Sequence, residues 1–358
     1  MAVHLSLMIF IIFLNLLPFK NDNRRKKILP ISFLLIAVYF AIRYNYGLDF
    51  FRYYNGFISG REDFFGTEVL FTRFFHLFPY YYQFIIAYAA IVIGSLYYIV
   101  RKYVNEEFYA VFFLLFFSMS GMSFNMLSAY RSTMAACIIW LAIDFFYLRK
   151  KNFPLFIAMV VLASFFHNSS IVFVIFPLLI LIVDKIDWKI AFSVLIIVNL
   201  LSMISSEDAF HWLTSSSEYL NEYEGYTESI ENATFFGVLH KSFWYVPVFL
   251  ILKNKKKFNT APLKVVYSLS YLYFFLFFFG LTFQERFTTY LFIYSIMALS
   301  VIFKQLQSDE KLLLVSTLIF LCVYGLYLFY GMMAHHLTDK YEEGNYLFYH
   351  TIFEQPFI

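Results

Sequence analysis

Long apolar runs broken by short charged connections repeat along the whole chain. A helix needs about 20 apolar residues to cross the hydrocarbon core of a bilayer. Runs of this kind fall at about 3–19, 28–43, 81–100, 108–122, 127–148, 153–166, 168–183, 189–205, 235–252, 263–283, 287–303 and 312–331. The pattern predicts an all-α polytopic membrane protein of about 12 transmembrane helices, forming a single integral membrane domain over residues 1–358. The two runs between 153 and 183 are also compatible with one broken helical hairpin, because His167, Asn168, Ser169 and Ser170 form the polar break there. Residues 1–6 carry no Lys or Arg, so the first run is expected to stay as a helix and not to act as a secretory leader.

Composition sharpens this picture. The chain is 61% hydrophobic, 23% aromatic and only 14% charged, against roughly 25% charged in a soluble domain. Water is therefore not its main solvent. The net charge of +3 is small and its basic residues are spread over short connections, which excludes nucleic acid as a partner. Cys137 and Cys322 both lie inside apolar runs, with neither a disulfide framework nor metal-ligand spacing, and are expected to pack.

Orientation follows from the basic residues, which concentrate in short cytoplasmic loops. With both termini outside, the cytoplasmic connections become 20–27, 101–107, 149–152, 184–189, 253–264 and 304–311. They hold five, two, three, two, five and two basic residues, 19 of the 27 in the chain. The same alternation places three long segments outside, at about 44–80, 206–234 and 332–358.

Loops of that length on a helical scaffold are where binding groups gather. The first interleaves charge with aromatic rings: Arg43, Gly47, Asp49, Arg52, Tyr53 and Tyr54, then Arg61, Glu62 and Asp63, then Glu68 and Arg73. Guanidinium forks match phosphate oxygens, and aromatic faces pack on the apolar faces of sugar rings. The plainer explanation is an interfacial belt, in which Tyr and Arg collect because both are amphipathic. Arg131, His167 and Arg286 fall at the same expected depth as this loop. Ionisable groups near membrane spans are costly and usually face a bundle interior or a wet cavity. The lone acid inside a run, Asp144, lies near the cytoplasmic end and is expected to snorkel to the interface. Adjacent Glu62 and Asp63 could hold a divalent cation but fit a solvated surface as well, and His335–His336 lacks ligand spacing, so no metal or other cofactor is expected.

Arranged along the chain, these residues form a recognisable series: Arg43, Gly47 and Asp49 with Tyr53 and Tyr54; Glu68-Val-Leu-Phe71; Arg131; Leu162 to Ser169; and Arg286 with Tyr290. The series resembles the EpsG-like branch of the Wzy-type bacterial polysaccharide polymerases. Ser132 departs from that pattern, which usually has Gln there, so no role for the amide carries over.

The resemblance implies a multi-pass protein of the bacterial cytoplasmic (inner) membrane that joins oligosaccharide repeat units carried on undecaprenyl pyrophosphate. Donor and acceptor are both lipid-linked, and membrane lipid and a chain-length regulator protein are the further partners implied. The leaving pyrophosphate gains charge as the anomeric bond breaks, which calls for preorganised cations. Arg131, Arg286 and Arg43 are the candidates. The acceptor hydroxyl must lose a proton, which points to His167, with Asp49 or Glu68 behind it. Arg52, Tyr53, Tyr54 and Tyr290 are the candidate glycan contacts. Two alternatives stay open: a flippase of lipid-linked oligosaccharide, which would want polar groups at mid-bilayer and internal repeats, and a ligase-type transferase with the same donor and another acceptor.

Overall fold

The computed structural model describes residues 2–17, 22–44, 47, 49–60, 68–215, 241–279, 284–339 and 350–351, with side chains at most of these positions. Every expected apolar run coincides wholly or in part with a helix, and the described residues fall into two compact units, 1–176 with 322–358, and 177–321.

The first unit opens with α1 (Ala2–Leu16) and α2 (Asp22–Ala41), followed by a two-residue strand β1 (Arg43–Tyr44). Two short helices come next, α3 (Phe50–Ser59) and α4 (Val69–Phe75). The membrane-length α5 (Tyr81–Tyr103) carries Arg101 and Lys102 in its last turn, where cations complement the helix dipole. After α6 (Tyr109–Ser118), a π-helical turn at Ser120–Phe124 leads into α7 (Asn125–Ser128), and the two parts of this broken element meet at 55°. Next is α8 (Tyr130–Ala142), which runs on as a π-helix to Arg149. Helix α9 (Phe153–Ser164) starts with Pro154 in its first turn and with the Asn152 side chain accepting the Leu155 N–H at 3.1 Å. It ends at Ser164, and three residues on His167 stands in extended backbone before a 3-10 segment, Asn168–Ile175.

Helix α10 (Phe176–Lys185) begins at the last residue of the first unit and continues into the second. There it is followed by α11 (Trp188–Ser215), α12 (Tyr245–Lys253), α13 (Ala261–Phe279), α14 (Gln284–Phe303) and the start of α15 (Ser308–Asp339). Helices α11 and α15 run past their expected ends at 205 and 331. A second short strand, β2 (His350–Thr351), pairs antiparallel with β1, placing Arg43 opposite Thr351. Residues 43–44 and 350–351 thus lie side by side in the first unit.

Five helices are long and apolar enough to cross a membrane, at 81–103, 130–149, 168–185, 261–279 and 308–327, and the bent pair would add a sixth. Five shorter apolar helices accompany them, Val3–Leu16, Lys27–Ala41, Phe153–Ser164, Trp188–Leu201 and Phe287–Phe303. The expectation of about 12 spans counts both kinds alike; among the described residues, length and composition establish five or six. The lipid-facing character is plain on α1, where Ile9, Phe10, Phe13 and Leu16 are all half or more exposed. In water such a surface would be a liability, and in hydrocarbon it carries no cost.

Within the first unit, α5 packs between α2 and α8, and α9 packs on α8 and on the 3-10 segment. Aromatic rings seat the short helices on this bundle. Phe71 and Phe75 of α4 and Phe84 of α5 are fully buried, with Phe75 edge-on to Phe84 at 4.6 Å. Edge-to-face pairs add about 0.5–1.5 kcal/mol each beyond area burial. Such pairs hold α3 and α4 against α5, with Phe50 edge-on to Tyr81 and Phe75 edge-on to Phe84.

Candidate functional site

The site is built from α3, the residue before α4, the beginning of α8 and the turn after α9. Gly47 makes its first part possible. Its φ of +124 lies where L side chains rarely go, and a Cβ there would sit 2.6 Å from the Leu127 carbonyl oxygen. The chain thus lies directly on the turn between α7 and α8. Two residues on, Asp49 precedes α3, and its carbonyl accepts the Tyr53 N–H at 3.1 Å, so the aspartate and Tyr53 stand one helical turn apart.

Glu68 precedes α4 and is 4% exposed. Both of its carboxylate oxygens are engaged. Oε2 accepts from Nη1 of Arg131 at 2.5 Å, and Oε1 lies 2.6 Å from Nδ1 of His167, with the Asn168 N–H donating to the same oxygen at 3.4 Å. A backbone bond from the Phe71 N–H to the Phe165 carbonyl, 3.4 Å, ties α4 to the turn that presents the histidine. Arg131 also donates through Nε to the Tyr53 hydroxyl at 3.4 Å. Residues 53, 68, 131 and 167 thereby meet around one carboxylate, from four separate stretches of chain.

Electrostatics give these groups distinct characters. Burial alone would raise the Glu68 carboxyl, but the hydrogen bond from His167 and the Arg131 charge outweigh it and hold the group below its usual range. Asp49 goes the other way: burial raises it, and the opposing charges of Arg52 and Arg131 do not fully compensate. A carboxylate against Nδ1 of His167 stabilises the tautomer with the proton on Nδ1, which makes Nε2 the basic nitrogen. The arrangement orients a base by a carboxylate and holds a cation beside it, with side chains 13% exposed at His167 and 21% at Arg131.

The other expected residues are placed less uniformly. Arg52 is exposed on α3, and Tyr54 is half-buried with its ring near Phe50 and Tyr81. Arg43 is 1% exposed and enclosed by rings, so in this structure it presents no atom to a ligand, contrary to a direct grip on pyrophosphate. Tyr290, in the second unit, is fully buried on α14, which leaves it no surface for a glycan. Arg286 lies in the first turn of α14, and its side chain falls outside the described residues, as do Arg61, Glu62 and Asp63. Asp144 is not a snorkelling acid. It is 1% exposed and takes hydrogen bonds from Tyr98 at 2.5 Å, from Tyr103 and from Lys102, with Arg149 Nε at 3.3 Å.

The sequence assigns no role to Tyr130 or to Asn168, whose N–H reaches Glu68, although each adjoins a residue that it singles out. The Tyr130 ring stacks on Tyr53 at 4.3 Å and 23°.

A multi-pass helical membrane protein with an oriented acid–base pair and a fixed arginine at one end of its helices is the class these features define. The chain belongs to the EpsG family, whose family model matches residues 26–348, a stretch that holds the whole cluster. It is accordingly a membrane protein of polysaccharide biosynthesis. None of the curated proteins and none of the solved structures matches it.

Proposed function

We propose that this chain is a polysaccharide polymerase that transfers a glycan from an undecaprenyl-pyrophosphate carrier to a hydroxyl of a second lipid-linked repeat unit, on the outer face of the bacterial cytoplasmic membrane. The observation that carries the reading is the Glu68 carboxylate, which holds Arg131 on one oxygen and His167 on the other.

The chemistry follows from these positions. The acceptor hydroxyl attacks the anomeric carbon as the bond from that carbon to the pyrophosphate oxygen breaks. The hydroxyl proton passes to Nε2 of His167, and the electron pair of the broken bond leaves on the pyrophosphate. Glu68 keeps the imidazole in the required tautomer and stabilises the imidazolium as it forms, so its role is to orient and not to take the proton. Arg131 is held by Glu68 and Tyr53 before any ligand arrives, and a preorganised donor need not reorganise when charge develops on the leaving group. Asp49, with its raised carboxyl, is a second proton carrier beside the acceptor, and Arg52 and Tyr54 on α3 are the residues left to contact the glycan, since Tyr53 is buried and holds Arg131. Arg286 is the further cation that the family resemblance implies for the diphosphate.

The test is polymerisation by the purified chain in lipid nanodiscs supplied with a defined undecaprenyl-pyrophosphate-linked repeat unit. A ladder of products is expected from the wild type, and its formation should slow by roughly 10²–10⁴ in His167→Ala. In cells lacking the gene, single-repeat products should accumulate outside. Lipid-linked repeats trapped inside the cell would instead show a flippase and overturn the proposal.

A further inference from the structure

Arg43 is the residue whose surroundings are hardest to explain by packing. None of its three guanidinium nitrogens has a hydrogen-bond partner among the described residues, although the side chain is buried. It is enclosed by the faces of Phe40, Tyr88 and Tyr130, whose ring centroids lie 5.3, 5.7 and 5.1 Å from its central carbon. Rings attract a cation, but they do not replace the hydrogen bonds that water gave it. A methionine of similar volume would fill the space without a desolvated charge, and replacing buried charge by apolar groups is often neutral or stabilising. Stability therefore does not account for an arginine here.

Its contacts lead to the site. Tyr130, one face of the cage, is also the ring that stacks on Tyr53, and the Tyr53 hydroxyl accepts from Arg131. Tyr88, another wall, packs on Tyr130 at 4.7 Å and donates its hydroxyl to the Met126 carbonyl at 2.5 Å, in the turn on which Gly47 rests. The backbone of Arg43 is itself held by pairing with β2. The ring of Tyr130 is the part of the side chain that stacks on Tyr53.

We propose that Arg43 is a positioning residue: a caged cation that fixes Arg131 through the stacked rings of Tyr130 and Tyr53 without touching the diphosphate. This rests on the reading of the cluster as glycosyl-transfer machinery. The cation holds the Tyr130 face, Tyr130 sets the plane of Tyr53, and Tyr53 sets the tilt of the Arg131 fork. A small loss of register at that fork lowers the rate of bond breaking while leaving the ground-state grip on the donor nearly intact.

The experiment compares Arg43→Met, Arg43→Lys, Tyr130→Phe and Tyr130→Leu with the wild type, as purified full chains in nanodiscs with the defined lipid-linked repeat unit. Arg43→Met should lower kcat by about tenfold or more with KM for the donor within about threefold, since misplacement acts on the transition state. Its Tm should hold or rise. Arg43→Lys should recover part of the rate, Tyr130→Phe should stay within about threefold of wild type, and Tyr130→Leu should follow Arg43→Met. A raised KM at unchanged kcat would mean direct contact with the donor and would overturn the proposal. So would a lowered Tm with normal kcat in the surviving protein, which marks a purely structural residue. If the wild type polymerises and Arg43→Met equals it, positioning alone fails. If the wild type makes no polymer, the glycosyl-transfer reading fails and takes this inference with it.

Discussion

Two buried carboxylates occupy opposite ends of α5 and α8, and they are used differently. Asp144 lies against Lys102, near the end of α5, while Glu68 lies on Arg131, near the start of α8. From Tyr81 to Lys102 the helix rises about 31 Å at 1.5 Å per residue, close to the hydrocarbon thickness of a bilayer. At one end, Asp144 takes donors from Lys102, Tyr98, Tyr103 and Arg149, none of them an imidazole. At the other, Glu68 shares itself between a permanent cation and a histidine. Both ends satisfy a buried charge, but only the second sets an imidazole against the carboxylate, the group that the proposed reaction uses as its base. The difference teaches that burial and pairing alone do not mark a site; the chemical kind of the partners does.

The largest expected effect breaks the two ends apart. His167→Ala should lower kcat by roughly 10²–10⁴, the usual share of a general base, with little change in Tm. Asp144→Ala should do the reverse. It strands Lys102 and Arg149 against a hole and should cost about 3 kcal/mol of stability, while the folded fraction keeps near-normal kcat. Polymer yield per folded molecule, set beside thermal unfolding of the same preparations, separates these outcomes. Equal losses of kcat from both variants would show that the ends are not functionally distinct.

Arg131→Ala comes next. A charge-assisted hydrogen bond is worth about 1.5–3 kcal/mol, so its loss should cost on the order of tenfold to a few hundredfold in rate. That loss should fall on kcat more than on KM if the arginine acts on the departing pyrophosphate.

The membership of this cluster is legible in the residues themselves. Glu68, Arg131 and His167 all stand out by residue type and expected depth, and all three meet. Their pairing is not legible, because His167 and Glu68 are 99 residues apart and only the packing of α4 against the end of α9 brings them together. The same limit explains Asp144. An acid near the end of an apolar run resembles a snorkelling residue until α5 is laid beside α8 and supplies its donors. Arg43 has the look of a phosphate ligand because it opens a charged loop; the rings that enclose it come from α2, α5 and α8, and no local pattern announces a cage. The helices themselves are legible since apolar runs of membrane length permit little else. The number of complete spans is not, because a run of about 12 to 17 apolar residues fits either a short span or a buried helix.

A smaller effect tests the charge on Glu68. Its folded carboxyl sits below the usual range, so the unfolded chain binds the proton more readily than the folded one. The ionised pairing therefore contributes stability that is present above about pH 4.3, the ordinary value for Glu, and is lost as pH falls through the depressed folded value. Glu68→Gln keeps the shape and removes the charge. Its Tm should lie below that of the wild type at pH 7, and the gap should narrow on acidification. A gap that widens as pH falls would contradict the assigned direction. In activity the same change should cost about tenfold, because His167 is then oriented by a neutral acceptor.

The smallest effect is expected at Tyr54, and it returns to the contrast between the two ends. The hydroxyls of Tyr98 and Tyr103 both donate to Asp144, so Tyr103→Phe should remove a bond to a charged group and lower stability by about 1.5 kcal/mol or more. The Tyr54 hydroxyl has no such partner among the described residues, and its ring already lies parallel to Phe50 at 6.4 Å and edge-on to Tyr81 at 5.3 Å. Tyr54→Phe preserves those ring contacts and removes a buried polar atom that no described group satisfies, so stability should be unchanged or slightly higher. Any cost should be confined to KM for the glycan acceptor and stay within about threefold, the scale of one neutral hydrogen bond. A large fall in kcat from Tyr54→Phe would show that this hydroxyl belongs to the proton-transfer chemistry, and the division of roles between α3 and the His167–Glu68 pair would have to be redrawn.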